Sequence, residues 1–350
     1  MTAEWGKKLE ERLLHYMSID STTGNEEAFG NAVCDDLSFH GFSVVRQPIG
    51  EGSTRFNVLA TFKDAKPPDV KVLLNTHLDT VPPYFKATQD AENIYGRGSN
   101  DAKGQLACMV SAAIIISTMN KELASRLGLL FVVGEEVDHV GMEAANALDL
   151  HPTHLIVGEP TELKFGTIQK GALKIRLNVR GVAGHSGYLD SGKSAIHVLV
   201  KVLNDIMAYS WPQDERFGAT TYNIGKICGG QALNAWAENA SADLFFRITT
   251  SRDEVKATLA GILNGRAEME LLSGNDPVLL DTPPFEAPTA AVAFNTDLPY
   301  FNYRDKLQGR YLFGAGSIRN AHSMDEFMPK KELHECTSTL IRLIKALSDD

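Results

Sequence analysis

The apolar residues at the start of the chain recur every three or four positions, which is the spacing of an amphipathic helix. Two such helices are predicted, on the apolar faces Leu9, Leu13 and Met17 and then Phe29, Val33 and Leu37. Thr23 and Glu26 have the spacing of a capping box before the second helix, and Gly41 stands where that helix should end. Both helices therefore offer one face to a core.

Short continuous apolar runs follow, and each has the length of a buried strand. These runs cover residues 57–62, 70–75, 127–133 and 154–157. Helical patterns lie between them, including one at residues 105–119. Buried strands that alternate with helices predict an α/β fold with a largely parallel central sheet.

The pattern changes near residue 171. From there we predict strand, helix, strand, strand, helix and strand at residues 172–179, 194–207, 221–227, 242–249, 253–263 and 268–272. This order of elements is the ferredoxin-like β-α-β-β-α-β unit.

A Pro-rich stretch at residues 282–288 is predicted to return the chain to the first layer. A strand at 311–313 follows, and then a closing helix whose apolar side consists of Leu333, Leu340, Ile344 and Leu347. These last elements would complete the first sheet, so we predict one discontinuous α/β domain interrupted by an inserted domain. The predicted bounds are residues 1–171 and 284–350 for the α/β domain and 172–283 for the insertion.

Composition narrows the classes of protein. Of 350 residues, 43% are hydrophobic and 22% are charged, which excludes a disordered chain or a coiled coil. The 44 acidic and 34 basic residues give a formal net charge of -10, which argues against nucleic acid or a membrane surface as a partner. A small-molecule or protein partner is expected.

The four cysteines have neither C-x-x-C nor metal-site spacing and are expected to be reduced: Cys34, Cys108, Cys228 and Cys336. The N-terminus has no continuous apolar region of the kind found in signal peptides. No apolar run approaches the roughly 20 residues of a membrane span. A cytoplasmic protein is therefore expected.

Polar side chains cluster where the apolar strands end. His77 and Asp79 follow one strand, Glu135 and Glu136 follow another, and Glu159 follows a third. In an open α/β sheet, ligands collect outside the carboxyl ends of the strands. We therefore expect these side chains to share one edge of the sheet.

Two further polar residues belong with this set, Asp101 in YGRGSNDAKG and His322 in SIRNAHSMDE. A single histidine or carboxylate at a strand end is most often only solvated or hydrogen-bonded. Several carboxylates that lie close together at one edge of the sheet, however, repel each other and need a positive charge between them. Imidazole and carboxylate together are the ligands of a catalytic zinc or a similar divalent ion, so a metal site is predicted.

The same residues stand in a series of short motifs. In chain order these are H-L-D-T-V-P, G-R-G-x-x-D-x-K-G, E-E, G-E-P-T, G-H-S-G, G-G-x-x-x-N and A-H-x-x-D-E. The series resembles the di-zinc amidohydrolase and metallopeptidase family of acetylornithine deacetylase, succinyl-diaminopimelate desuccinylase, aminoacylase and carboxypeptidase G. The resemblance implies a zinc-binding α/β domain interrupted by a ferredoxin-like dimerisation domain, and hence a homodimer.

The resemblance also implies the cofactor and the residues that hold it. Two zinc ions per subunit are expected, and cobalt is an expected substitute. The family's ligand positions correspond to His77 and Glu159 for one ion, Glu136 and His322 for the other, and Asp101 between both. Asp79 would orient the His77 ring, Glu135 would be the general base, and the Asp101–Ala102 peptide bond would be cis.

Three residues of the inserted domain match further family positions. His185 would reach the partner subunit's site and stabilise the oxyanion, while Asn234 and Arg247 would contact the substrate; a structural ion pair is an equal alternative for Arg247. The sequence also departs from the family's common residues at three positions, with Leu189, Ala237 and Phe245 in place of Pro, Pro and Asp. The expected consequence is confined to the substrate pocket.

The sequence also allows two competing interpretations. Residues 187–194 fit the phosphate-loop pattern G-x-x-x-x-G-K-[ST], but they do not follow their strand directly, and nucleotide binding leaves the predicted metal ligands unexplained. A non-catalytic scaffold dimer is a second alternative, and the intact ligand set with Glu135 argues against it. We therefore predict hydrolysis of the amide bond of a small N-acyl amino acid, with a dipeptidase or carboxypeptidase as the enzymatic alternative.

Overall fold

The computed structural model describes residues 2–63, 70–215 and 217–348. The chain divides into two compact units. Unit 1 comprises Met1–Thr167, Leu280–Ala290 and Thr296–Asp350, and unit 2 comprises Ile168–Leu279 and Ala291–Asn295. The insertion predicted at 172–283 compares with 168–279 in this division, and residues 291–295 also belong to unit 2.

The described α-helices are α1 (Ala3–Met17), α2 (Glu27–Phe39), α3 (Lys103–Met119), α4 (Lys121–Ser125), α5 (Val140–Ala145), α6 (Ala195–Ala208), α7 (Arg252–Leu263) and α8 (Lys330–Ser348). Short 3₁₀ helices lie at Asn146–Leu148, Leu298–Tyr300 and Arg304–Lys306. No helix among the described residues is both long enough and apolar enough to cross a membrane.

The described strands are β1 (Phe42–Pro48), β2 (Phe56–Phe62), β3 (Val72–His77), β4 (Thr88–Gln89), β5 (Asn93–Tyr95), β6 (Leu127–Val132), β7 (His154–Val157), β8 (Phe165–Gln169), β9 (Gly171–Arg180), β10 (Gln213–Asp214), β11 (Gly218–Ala219), β12 (Thr221–Gly229), β13 (Asn239–Ile248), β14 (Glu268–Asn275), β15 (Val278–Leu279), β16 (Thr289–Val292), β17 (Gly309–Leu312) and β18 (Phe327–Pro329). Strands β15, β8 and β16 form a small three-stranded sheet, and β18, β5 and β4 form another in unit 1.

The central sheet of unit 1 has the strand order β1-β2-β6-β3-β7-β17. Strands β6, β3, β7 and β17 are parallel, and β2 and β1 extend the sheet antiparallel at one side. Strands β2, β3, β6 and β7 are buried along their whole length, as expected of strands covered on both faces. The predicted α/β fold class with a mostly parallel sheet is confirmed.

Helix α3 lies at the centre of unit 1. Every residue from Lys103 to Ser117 is buried, since α3 packs against α1, α8 and β3. A helix that is apolar on all sides must be covered on all sides. Its first turn comes directly after Asp101, so the packing of α3 fixes the position of that carboxylate.

The predicted capping box before α2 is wrong. Glu26 is the N-cap residue of α2 and makes no side-chain capping bond. The hydroxyl of Thr23 donates instead to Asp79 Oδ2 at 2.9 Å, and the buried Glu26 carboxylate pairs with Arg55 at 2.7 Å. Each side chain has a distant partner that the local spacing does not reveal. Gly41 ends the helix as predicted, with a φ of 86°.

Unit 2 contains a four-stranded antiparallel sheet in the order β12-β13-β9-β14. Buried and partly exposed residues alternate along β13, which is typical of a sheet with one covered face. Helices α6 and α7 pack against this sheet and against each other, and their apolar residues form a core separate from that of unit 1. The predicted ferredoxin-like unit is confirmed.

Candidate metal centre and active site

The candidate site lies at one edge of the central sheet of unit 1. Neighbouring parallel strands β6, β3 and β7 end at Val132, His77 and Val157, so the residues that follow them collect at their common carboxyl edge. The loop before α3 supplies Asp101, and the loop between β17 and β18 supplies His322.

The two carboxylate oxygens of Asp101 face two different histidines. Asp101 Oδ1 lies 3.0 Å from His77 Nε2, and Asp101 Oδ2 lies 3.3 Å from His322 Nε2. Each histidine has a second carboxylate beside it, with Glu159 Oε1 at 3.7 Å from His77 and Glu136 Oε2 at 3.0 Å from His322. The arrangement is two histidine–glutamate pairs that share one aspartate.

The donor set fits divalent metal ions. Ligand atoms of His77, Asp101 and Glu136 all lie within 4.8 Å of one another. Two histidine–carboxylate pairs joined by a shared carboxylate offer each of two cations one imidazole nitrogen and two carboxylates, a set suited to zinc or a related ion. A carboxylate cluster of this density needs positive charge in its midst.

The pKa shifts of the site residues also indicate that the carboxylate cluster needs positive charge. Burial raises the pKa of Glu159 well above its usual range, and the nearby Asp101 charge adds to the effect. Hydrogen bonds to Asp101 and Glu136 raise the pKa of His322 to about 10. For His77, burial favours the neutral ring, but hydrogen bonds to Asp101 and Asp79 outweigh it and raise the pKa well above the usual value. The surrounding carboxylates therefore favour positive charge at both imidazoles.

Asp79 holds several parts of the site together, although not quite as predicted. The ring nitrogen His77 Nδ1 is 2.9 Å from the main-chain carbonyl of Asp79 and 3.5 Å from its carboxylate. The carboxylate itself accepts the backbone N–H groups of Glu135 at 3.2 Å and Glu136 at 3.3 Å, and the hydroxyl of Thr23. Asp79 thus orients His77 mainly through its backbone and fixes the two glutamates through its side chain.

Glu326 supports Asp101 from the other side of the chain. The Asp101–Ala102 peptide bond is cis, and Glu326 Oε1 accepts the N–H groups of Asn100 at 3.0 Å and Asp101 at 3.1 Å. The Glu326 carboxylate also forms a buried ion pair with Arg97. Glu326 stands in the motif A-H-x-x-D-E, which is the one sequence signal that could have pointed to this supporting role.

Glu135 lies beside the ligand cluster, and its side chain is 11% exposed. Burial, together with the charges of Glu159, Asp297 and Glu136, raises its pKa well above the usual range, although His77 acts in the opposite direction. Two polar neighbours of this glutamate, His139 and Asp297, were not predicted from the sequence. Neither stands in one of the quoted motifs.

The remaining predicted residues belong to unit 2. His185 and Asn234 lie on two adjacent loops, joined by a hydrogen bond from Ser186 N–H to the Asn234 carbonyl at 3.0 Å, and both side chains are exposed. Arg247 on β13 is half-buried, and its guanidinium lies 4.1 Å from the centre of the Phe245 ring. The other predicted site residues all lie in unit 1.

In the phosphate-loop pattern at residues 187–194, several backbone N–H groups donate to nearby residues of the chain. Gly187 N–H donates to His185 Nδ1, Lys193 N–H to the Val182 carbonyl, and Ser191 N–H to the Tyr188 carbonyl. A phosphate cradle needs such N–H groups directed at the ligand. These three N–H groups are therefore directed at protein acceptors in the structure.

Comparison with known proteins shows which family the chain resembles. A family model described as a peptidase dimerisation domain matches residues 167–269, and one described as peptidase family M28 matches residues 57–157. A probable carboxypeptidase of Aspergillus terreus is 34% identical over 367 residues, covering 94% of this chain and 84% of that protein.

Solved structures share the fold over nearly the whole chain. A tripeptidase from Staphylococcus aureus has a TM-score of 0.82 at 20% identity and covers 99% of both chains. An M20 family metallo-carboxypeptidase from Sulfolobus solfataricus has a TM-score of 0.75 at 15% identity, covering 97% of this chain and 99% of that one. A peptidase M20 domain-containing protein of Schizosaccharomyces pombe is 34% identical over 331 residues, 94% of this chain and 82% of that protein. The chain therefore belongs to the M20 family of metallopeptidases.

Proposed function

We propose that this hydrolase cleaves the amide bond next to a C-terminal amino acid in a short peptide, as a metal-dependent carboxypeptidase or dipeptidase. The observation that carries the proposal is Asp101, whose two oxygens face separate histidine–glutamate pairs while Glu135 lies alongside. The relatives named probable carboxypeptidases, which match 94% or more of this chain, support the choice of a peptide substrate.

In this proposal two zinc ions occupy the cluster. His77 and Glu159 would hold one, Glu136 and His322 the other, and Asp101 both. When bound, such ions polarise a carbonyl oxygen and make a nearby water more acidic. Cobalt would serve the same ligands.

Glu135 moves the proton. Its buried carboxylate accepts a proton from the attacking water and later gives that proton to the leaving nitrogen. Burial raises the pKa of Glu135, and this favours the form that holds the proton between the two steps. Asp79 keeps Glu135 at the metal edge through the backbone N–H of that residue.

His185, Asn234 and Arg247 are proposed to act on the substrate. His185 Nδ1 accepts a hydrogen bond from Gly187 N–H at 3.1 Å, so the proton of the neutral ring resides on Nε2. The Nε2–H group can then donate to an oxyanion. The family resemblance implies that this oxyanion forms in the partner subunit's site. Asn234 and Arg247 would bind the substrate's carbonyl and carboxylate.

The homodimer is proposed to form through unit 2. This unit matches the dimerisation domain model at residues 167–269. Strand β12 is an end strand of its sheet, and α6 exposes Ile196, Val200 and Met207 at 37%, 55% and 54%. An end strand, and exposed apolar residues on a helix of the same unit, are features suited to pairing with a second copy.

A substrate screen tests the proposed activity. Purified protein with added zinc or cobalt is assayed on dipeptides, tripeptides and the N-acetyl and N-succinyl forms of the same C-terminal amino acids. We expect release of the C-terminal amino acid from peptides, with N-acyl amino acids cleaved more slowly. Hydrolysis restricted to N-acyl amino acids would instead establish the deacylase activity that the sequence first suggested.

A further inference from the structure

A buried histidine–aspartate pair lies next to Glu135. His139 Nδ1 is 3.0 Å from Asp297 Oδ1 and 3.9 Å from Glu135 Oε1. The side chains of His139 and Asp297 are 11% and 2% exposed, so solvent contributes little to holding them. One imidazole nitrogen therefore lies between two carboxylates, bonded to one and in loose contact with the other.

The backbone of His139 also closes the turn that presents Glu135. The N–H groups of Val137, Asp138 and His139 all point at the Gly134 carbonyl, the last at 2.8 Å. His139 has a φ of 58°, a left-handed conformation that non-glycine residues seldom adopt. A residue with a side chain at such a position suggests that the side chain itself is needed.

The ring of His139 is held on a second side by an aromatic contact. It stacks on Tyr300, with ring centroids 4.0 Å apart and planes inclined by 16°. Asn146 fixes the segment that carries Tyr300, because its side chain donates to the Tyr300 carbonyl at 2.9 Å and accepts the Asn302 N–H at 2.8 Å. The ring thus has neighbours that define both its position and its plane.

We propose that His139 and Asp297 are positioning residues for Glu135, which rests on the proposed role of Glu135 as the proton carrier. Asp297 accepts the Nδ1–H of the ring and so prevents His139 from forming a close bond with Glu135. The Glu135 carboxylate then has a fixed polar neighbour at a distance that leaves both oxygens free for water and substrate. The family motifs quoted above assign no role to either residue.

Near-isosteric variants test the inference. In His139→Asn the amide nitrogen takes the position of Nδ1 and can still donate to Asp297, and asparagine tolerates a positive φ. His139→Asp has the same shape and backbone tolerance but places a second carboxylate against Asp297. We expect His139→Asn to keep kcat within about threefold, and His139→Asp to lose about 10- to 100-fold, with KM and bound metal unchanged.

Two further variants complete the design. Asp297→Leu removes the acceptor at similar size and should lower kcat as His139→Asp does. His151→Asp is the matched control, since His151 Nε2 pairs with Asp149 at 3.0 Å and its ring contacts Tyr303, at the surface of the same unit. The control should keep the turnover of the unaltered protein.

Measured quantities are kcat and KM on the peptide found by the screen, metal per subunit and the melting temperature. The inference is overturned if His139→Asp and Asp297→Leu keep full kcat while Glu135→Gln is inactive. It is also overturned if His139→Asn loses as much as His139→Asp, or if lost metal or a raised KM accounts for the decrease. Retained turnover in Glu135→Gln would instead refute the proposed function itself.

Discussion

Asp101 organises the candidate site because its two oxygens point at different histidines. A single carboxylate can do this only if its backbone is fixed, and Glu326 fixes it by accepting the N–H groups of Asn100 and Asp101. The surrounding glutamates differ in what they contact. Glu136 and Glu159 each lie beside a histidine that also contacts Asp101, whereas the histidine 3.9 Å from Glu135 is His139, which pairs with Asp297.

Glu135→Gln tests the residue on which the chemistry depends. The amide has the shape of the carboxylate but cannot accept a proton, so we expect kcat to fall by about 10²- to 10⁴-fold. Metal content and melting temperature should stay close to those of the unaltered protein, because Glu135 is not a proposed ligand. Single-turnover assays of the purified variant measure the loss. Undiminished turnover would contradict the assignment.

Phe245 changes the surroundings of Arg247. The family commonly has an aspartate at this position, whereas here the aromatic ring lies under the guanidinium at 4.1 Å and near Lys174 Nζ at 5.3 Å. A cation–π contact orients an arginine without neutralising its charge. The contact with the Phe245 ring therefore helps to set the direction of the Arg247 side chain.

At the level of elements, the loop before α3 and the loop before β18 stabilise each other through one ion pair. Glu326 and Arg97 are both 1% exposed. Glu326→Ala would leave the Arg97 charge buried with fewer partners, and we expect a loss of about 3–5 kcal/mol in the free energy of unfolding. Urea denaturation of the metal-free protein measures it.

The matched control is Glu122→Ala. Glu122 pairs with Arg126 at 2.8 Å, but its side chain is 79% exposed, so its removal should cost about 1 kcal/mol or less. If the two substitutions lower the free energy of unfolding equally, the buried ion pair stabilises the fold no more than an exposed pair does.

The sequence predicted the buried elements well because burial on both faces leaves a continuous apolar signal. Strand β7 was predicted with its observed ends, and β2, β3 and β6 to within two residues. Strand β1 was not predicted, because it lies at the sheet margin and most of its residues are at least partly exposed. Its sequence therefore has no apolar run.

Contacts between distant residues could not be predicted from local spacing. Thr23 and Asp79 are 56 positions apart, His139 and Asp297 are 158 apart, and Asn100 and Glu326 are 226 apart. The proposed metal ligands are also far apart in the sequence, but they stand in motifs that resemble those of a known family. His139 and Asp297 stand in no such motif, and the motif that contains Glu326 assigns it no role. Only the fold brings these residues to the site.

For the whole molecule, dimerisation is predicted to be part of activity. Val200→Asp places a charge on the exposed apolar face of α6, where a second copy is proposed to pack, and should shift the protein to a monomer in analytical ultracentrifugation. Loss of the partner subunit's His185 would remove one oxyanion donor, so we expect kcat to fall by about 10²-fold or more.

Phe39→Asp is the control for this change. Phe39 is 86% exposed at the end of α2 in unit 1, so a charge there should leave both the dimer and turnover intact. A monomeric Val200→Asp variant with full turnover would contradict a catalytic role for the second subunit.

A metal titration tests the central claim most directly. The protein is stripped with a chelator, zinc is added back in known amounts, and peptide turnover is measured against zinc bound per subunit. The two histidine–glutamate pairs that share Asp101 predict negligible turnover without metal and a maximum at two ions per subunit. Full turnover in the metal-free protein, or a maximum at one ion with no second ion bound, would contradict the account.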